Sequence, residues 1–198
     1  MEHQEDFESQ VTESIRASIA VKQLLLGNRE LIAMVANISE IVVAAFKKGN
    51  KLLLFGNGGS AADAQHIAAE FVGRFAFNRP PLPALALSVN SSCVTAIGND
   101  YGFDLVFARQ IEALAQSGDV AIGITTSGNS PNVLQGLEAA KKKGLQTAGF
   151  AGCTGGKLKW VAEHCVCAPS NETPRIQECH ILIGHIIAEL SERAIFHE

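Results

Sequence analysis

Lys51-Leu52-Leu53-Leu54-Phe55-Gly56-Asn57-Gly58-Gly59-Ser60 is the stretch that decides the fold. Its first half, Lys51 to Phe55, is a short continuous apolar run, the pattern of a strand covered on both faces. Its second half is rich in glycine, which lets the backbone turn sharply without a clashing side chain. A helical stretch near Ser60 to Phe77 follows. Strand, turn and helix in that order form the unit of a parallel α/β sheet.

The unit recurs downstream. Pro83 to Ser88, Asp119 to Thr125, Gln146 to Ala151 and His164 to Ala168 read as further strands. Helical segments near Asp104 to Gln116, Pro131 to Lys143 and Gly156 to Ala162 lie between them, and a last helix runs from about Pro174 to Phe196. The expected architecture is a three-layer α/β/α sandwich on a five-stranded parallel sheet. Arg79 to Pro83 reads as a connector, so residues 1–198 form one domain. Upstream, Phe7, Val11, Ile15 and Ile19 recur at spacing four. Gly27-Asn28 stops that helix, and Leu31 to Lys48 forms a second one. Residues 1–50 are therefore a helical extension, whose apolar stripe packs either on its own domain or on another subunit.

Composition bounds the function. Of 198 residues, 47% are hydrophobic and 18% charged, which excludes a mainly disordered chain. The formal charge of −4 lacks the basic balance of a dedicated nucleic-acid binder. It leaves room for anions, which backbone donors at helix N-termini hold without net charge. Met1 to Glu8 is acidic and has no apolar signal core, and no apolar run approaches the ~20 residues of a membrane span. Five scattered cysteines (Cys93, Cys153, Cys165, Cys167 and Cys179) argue against a disulfide framework. Cys165 and Cys167 can share a strand face, but no second pair follows to complete a zinc knuckle. The expected compartment is the reducing cytoplasm.

Ligands of such sheets bind beyond the carboxyl ends of the strands. The loop Gly56 to Ala61 fits the loose dinucleotide pattern, yet the next strand ends at Ser88-Val89-Asn90 with no acidic residue for a ribose. Backbone approach to a small polar ligand, with Ser60 at the helix start, is the better reading. The loop Thr125-Thr126-Ser127-Gly128-Asn129-Ser130-Pro131 places four hydroxyls in six residues, just before a helix that Pro131 can begin. One Ser or Thr would suffice as a cap. This density points instead to a phosphate monoester.

His66 and Glu70 are four apart on one helix face, where imidazole and carboxylate can ligate a metal or move protons. By itself that is an ordinary surface pair. His185 lies within the apolar stretch Ile181 to Leu190, where a lone His is more often a core residue than a ligand. Gln177 stands eight residues earlier, about 12 Å of helical rise. The two meet one metal only by strong convergence, or from different subunits.

Taken together, Gly56-Asn57-Gly58-Gly59-Ser60, His66 with Glu70, Gly98-Asn99-Asp100, Thr126-Ser127-Gly128-Asn129-Ser130 and Ile176-Gln177-Glu178 with His180 and His185 resemble the phosphoheptose isomerases. These belong to the sugar isomerase (SIS) domain proteins, with a flavodoxin-like sheet, and the resemblance covers almost the whole chain. It implies interconversion of D-sedoheptulose 7-phosphate and D-glycero-D-manno-heptose 7-phosphate, the first step towards the ADP-heptose of the lipopolysaccharide core. It implies a homotetramer with active sites at subunit contacts and one zinc per subunit. By position, His66, Glu70, Gln177 and His185 match metal-binding residues, and Glu70 and His185 the acid–base pair. Ser60, Thr125, Thr126, Ser127 and Ser130 match the phosphate pocket. Asn57, Gly58, Gly59, Asn99, Asp100 and Gln177, with Glu70, match other substrate contacts. Thr125 departs from the family's more usual Ser but keeps the hydroxyl. A rival resemblance over the same length is a non-catalytic protein that binds the replication initiator DnaA. That relative lacks the carboxylate and imidazole present here as Glu70 and His185.

Overall fold

A computed structural model describes residues 6–196. Met1 to Glu5 of the acidic start, with His197 and Glu198, lie outside the described residues. Five strands form one parallel sheet: β1 (Leu52–Gly56), β2 (Ala84–Ala86), β3 (Val120–Ile124), β4 (Gln146–Ala151) and β5 (His164–Cys167). Their order is β2-β1-β3-β4-β5, with Leu52 opposite both Ala84 and Val120. The order reverses direction beside β1, so a crevice opens at the carboxyl ends of β1 and β3.

Alternation along the strands builds two cores. Leu52 and Leu54 of β1, with Val120, Ile122 and Ile124 of β3, face helices α2 (Arg29–Lys47), α3 (Gly59–Val72) and α8 (Thr173–Phe196). Leu53, Phe55 and Ala121 face the opposite layer, built chiefly on α5 (Val106–Leu114), α6 (Pro131–Lys142) and the single-turn α7 (Leu158–Val161). Phe46 and Phe71 meet at 5.3 Å in the first core, Phe55 and Phe107 at 5.2 Å in the second. Each such buried side chain contributes about 1.5–3 kcal/mol of transfer free energy. At the amino end of the sheet, Lys51 Nζ donates to Asp119 Oδ2 at 2.6 Å and Lys51 N to Oδ1 at 2.9 Å, fixing the register of β1 against β3.

The two N-terminal helices behave differently. Asn28 ends α1 (Phe7–Gly27) and caps α2, its side chain accepting from Leu31 N at 3.1 Å. Leu31, Val35, Ile38 and Val42 of α2 are buried on their own chain. In α1 only Leu25 is buried. Among the described residues, no helix is long and apolar enough to cross a membrane.

Several bounds differ from the sequence reading. The helix from Ser60 stops at Val72, not Phe77, because Gly73 leaves the helical region and residues 73–80 form a connector. Strand β2 is three residues long, since Pro83 supplies no N–H and β1 is its one neighbour. A positive φ at Gly156 delays the start of α7 to Leu158, and the extended backbone of Ala162 ends it after one turn. Helix α4 (Ser91–Tyr101) carries no assignment from the sequence. It buries no residue, so its apolar signal is faint, but Asn90 caps it by accepting from Cys93 N at 3.1 Å.

Candidate active site

The loop after β1 and the loop after β3 face each other across the reversal point. Asn57 and Asn132 join them with two reciprocal amide hydrogen bonds of 2.8 and 2.9 Å. Asn132, on the first turn of α6 and 2% exposed, escaped the sequence reading. Its signal was its place next to Pro131 in the hydroxyl-rich loop. Gly58 takes a φ of +54° as α3 begins, and Ser60 is buried beneath the turn.

In the second loop, Thr125 Oγ1 lies 2.8 Å from Ser130 Oγ and 3.4 Å from Ser127 Oγ. Ser127 Oγ accepts from Asn129 N at 3.1 Å. Three of the four predicted hydroxyls therefore cluster at the N-terminus of α6, where free N–H groups and the helix dipole attract an anion. Gly128 makes the turn possible. Its φ is +68°, and a Cβ there would strike the Gly155 carbonyl. The Gly155-Gly156 turn braces this loop from below, with Leu158 N donating to Gly128 O at 2.9 Å and Lys157 N to Asn129 Oδ1 at 3.1 Å.

The titratable centre lies where α3 crosses α8. Gly184 permits close approach, since a Cβ there would collide with Ile67. His185 consequently faces His66, Nε2 to Nε2 at 3.1 Å, and His66 Nε2 is 3.0 Å from Glu70 Oε1. Phe75 stands 5.7 Å from the His185 ring. One ring nitrogen carries either a proton or a lone pair. His66 Nε2 therefore cannot donate to Glu70 and accept from His185 at once. A cation accepting lone pairs from all three groups removes that conflict. Two imidazoles and a carboxylate, with ligand atoms within 4.8 Å of one another, form the donor set of a zinc site with an open position.

Gln177 meets α3 at a different level from His66. Its amide lies against Gly59, seven residues before His66, about 10 Å back along α3. Asn99 and Asp100, at the end of α4, hydrogen-bond to each other at 2.8 Å. Asp100 lines a groove of about 570 Å³ with Leu85, Tyr101 and Arg109, where no other candidate residue lies.

Around the cluster sit residues that the sequence reading missed. Asp63, one turn before His66, has a buried Oδ2 without a hydrogen-bond partner among the described residues. Burial pushes its carboxyl up to about 6 and His66 draws it partly back. Arg79 and Glu192 form a buried ion pair of 2.9 Å. Arg79 donates to the carbonyls of Glu70 and Phe71, each at 2.7 Å, while Glu192 accepts from Phe75 N and Ala76 N. The pair clamps the end of α3 that carries Glu70. No local pattern marks it, since 113 residues separate the partners.

Comparison with known proteins bears on this geometry. Residues 20–152 match the family model of the SIS domain. The chain is 53% identical over 182 residues to the phosphoheptose isomerase of Aneurinibacillus thermoaerophilus, covering 92% of each chain. It is 54% identical over 186 residues to that of Aquifex aeolicus, covering 93% of this chain and 96% of the relative. The structure of phosphoheptose isomerase from Neisseria gonorrhoeae superposes with a TM-score of 0.88 at 38% identity, over 94% of this chain and 98% of that one.

Proposed function

The chain belongs to the phosphoheptose isomerases of the SIS domain family and is an aldose–ketose isomerase, and from that premise we propose that it interconverts D-sedoheptulose 7-phosphate and D-glycero-D-manno-heptose 7-phosphate through an enediol. The observation that carries the reading is the convergence of His66, Glu70 and His185 in a fold that also carries a hydroxyl-lined helix N-terminus at Thr125 to Ser130.

Glu70 removes a proton from C1 of the ketose, exchanges it with solvent and delivers a proton to C2, and His185 moves the proton between the two oxygens. Each such group typically contributes ~10²–10⁴-fold. Zinc, held by His66, Glu70 and His185, one per subunit, would supply a Lewis acid for the carbonyl oxygen. Glu70 cannot be tight ligand and free base together, so its role changes when substrate binds. Gln177, from a neighbouring subunit of a homotetramer, would complete the ligand set. Thr125, Thr126, Ser127 and Ser130, with Ser60, hold the phosphate and so fix the reacting end. Asn57, Gly58 and Gly59 line the sugar chain; Asn99 and Asp100 are assigned to it on family resemblance alone. The reaction would open ADP-heptose synthesis for lipopolysaccharide in the cytoplasm. Glu70 and His185 favour this reading over a non-catalytic DnaA-binding protein.

Purified protein should convert sedoheptulose 7-phosphate, losing activity to a chelator and regaining it with zinc. Glu70→Gln should lower turnover ~10²–10⁴-fold while the KM changes little. No turnover by zinc-loaded wild-type protein would overturn the reading. Turnover indifferent to chelation would remove the metal from it.

A further inference from the structure

We propose that Cys165 and Cys167 form a peroxide-responsive dithiol that loosens the anion-binding loop when oxidised. The dithiol chemistry stands by itself; its effect on substrate rests on the phosphate reading above.

The pair sits on β5, an edge strand whose one neighbour is β4. Val166 points into the core beneath α2 and α8, so Cys165 and Cys167 share the opposite face. Their sulfurs lie 3.9 Å apart, and both residues are half-buried. The two thiols are made unequal by their contact. The hydrogen bond from Cys165, aided by the Lys159 charge and opposed by burial, draws Cys167 down to about 7. The same bond, together with burial, pushes Cys165 up. One sulfur is thus the nucleophile and its neighbour the resolving thiol, the arrangement of a redox pair.

The step balances with hydrogen peroxide as oxidant. The Cys167 thiolate attacks a peroxide oxygen, forming an S–O bond as the O–O bond breaks and hydroxide leaves. Cys165 then attacks the sulfenic sulfur, an S–S bond forms, the S–O bond breaks, and the oxygen departs as water with the Cys165 proton. Two thiols lose two electrons and peroxide becomes two waters. Closure brings the sulfurs from 3.9 Å to about 2.05 Å. Residues two apart on a strand stand about 6.6 Å apart at Cα, near the upper limit for a disulfide, so the strand must pucker. An edge strand resists this least.

The movement has a path to the site. Cys167 Sγ would stand 2.9 Å from a Cβ at Gly155, so the thiol lies against the Gly155-Gly156 turn. That turn packs against Ser127 and Gly128, and the next two residues hydrogen-bond to Asn129 and Gly128. Displacement of Cys167 therefore reaches the loop carrying Ser127 and Ser130. Trp160, the single tryptophan, stands on α7 next to Lys159 and reports on this turn.

The test treats the full chain, with chelator present, with hydrogen peroxide. Expected are loss of two thiols and about 2 Da, a shift in Trp160 emission, and a severalfold rise in the Kd for inorganic phosphate, all reversed by dithiothreitol. Cys165→Ser should trap a sulfenic acid at Cys167 that dimedone labels. Cys153→Ser should respond as wild type, and Cys165→Ser/Cys167→Ser should not respond. Retention of both thiols under peroxide overturns the dithiol, and oxidation that leaves phosphate affinity unchanged overturns its coupling to the loop. None of these readouts needs turnover, so an enzyme inactive on sedoheptulose 7-phosphate would overturn the activity reading alone.

Discussion

Two histidines five residues apart on α8 meet opposite fates. His180 is fully buried, lies 3.1 Å through Nε2 from the Ala151 carbonyl, and packs 5.8 Å from Phe150. Burial, partly offset by that hydrogen bond, draws its pKa down to about 4. His185 is half-exposed and faces His66. The difference predicts an acid sensitivity that belongs to His180. Its folded pKa is depressed, so its contribution is present above the unfolded value near 6.5 and is lost as pH falls towards 4. The loss amounts to roughly 3 kcal/mol. Urea midpoints of the metal-free protein at pH 7.5 and 4.5 check this. His180→Phe, which cannot titrate, should narrow its gap to wild type at the lower pH; parallel losses would place the sensitivity elsewhere.

At the scale of elements, α1 stands apart. Phe7, Val11, Ile15 and Ile19 are 71%, 58%, 56% and 51% exposed, a continuous apolar stripe on one helix face. Such a stripe favours burial against another copy. Val11→Glu with Ile15→Glu should reduce the light-scattering mass from about four chains to fewer, with the isolated subunits still folded; a wild-type monomer would contradict the tetramer. Elements were legible in the sequence wherever burial imposed a pattern. The strands read as apolar runs because both their faces are covered, and α2 read clearly because Val35, Ile38 and Val42 are buried. Helix α4 was hidden because it buries no residue fully, Val94 and Ile97 being covered only in part by the second core. The anion loop was legible because its hydroxyls are neighbours in sequence. The pairing of His66 with His185 spans 119 residues, and only the family resemblance linked them. The Arg79–Glu192 clamp and the close approach of the Gln177 amide to Gly59 are products of tertiary packing alone.

The whole molecule separates stability from chemistry. The amino end of the sheet is locked by Lys51 and Asp119, while the carboxyl ends of β1 and β3 carry the two loops joined by Asn57 and Asn132. Helices α3 and α8, leaving the first core side by side, bring an imidazole–carboxylate–imidazole cluster to one place. This arrangement suits proton transfer by fixed side chains, and the alternative for a metal-assisted isomerase is a hydride passing directly between C2 and C1. The most direct measurement runs the reaction in D2O with zinc-loaded wild-type protein and Glu70→Gln, reading deuterium at C2 of the aldose by NMR. Transfer through Glu70 predicts deuterium at C2 in the wild-type product and almost no product from the variant. Full turnover with protium retained at C2, or undiminished exchange in Glu70→Gln, would contradict the account.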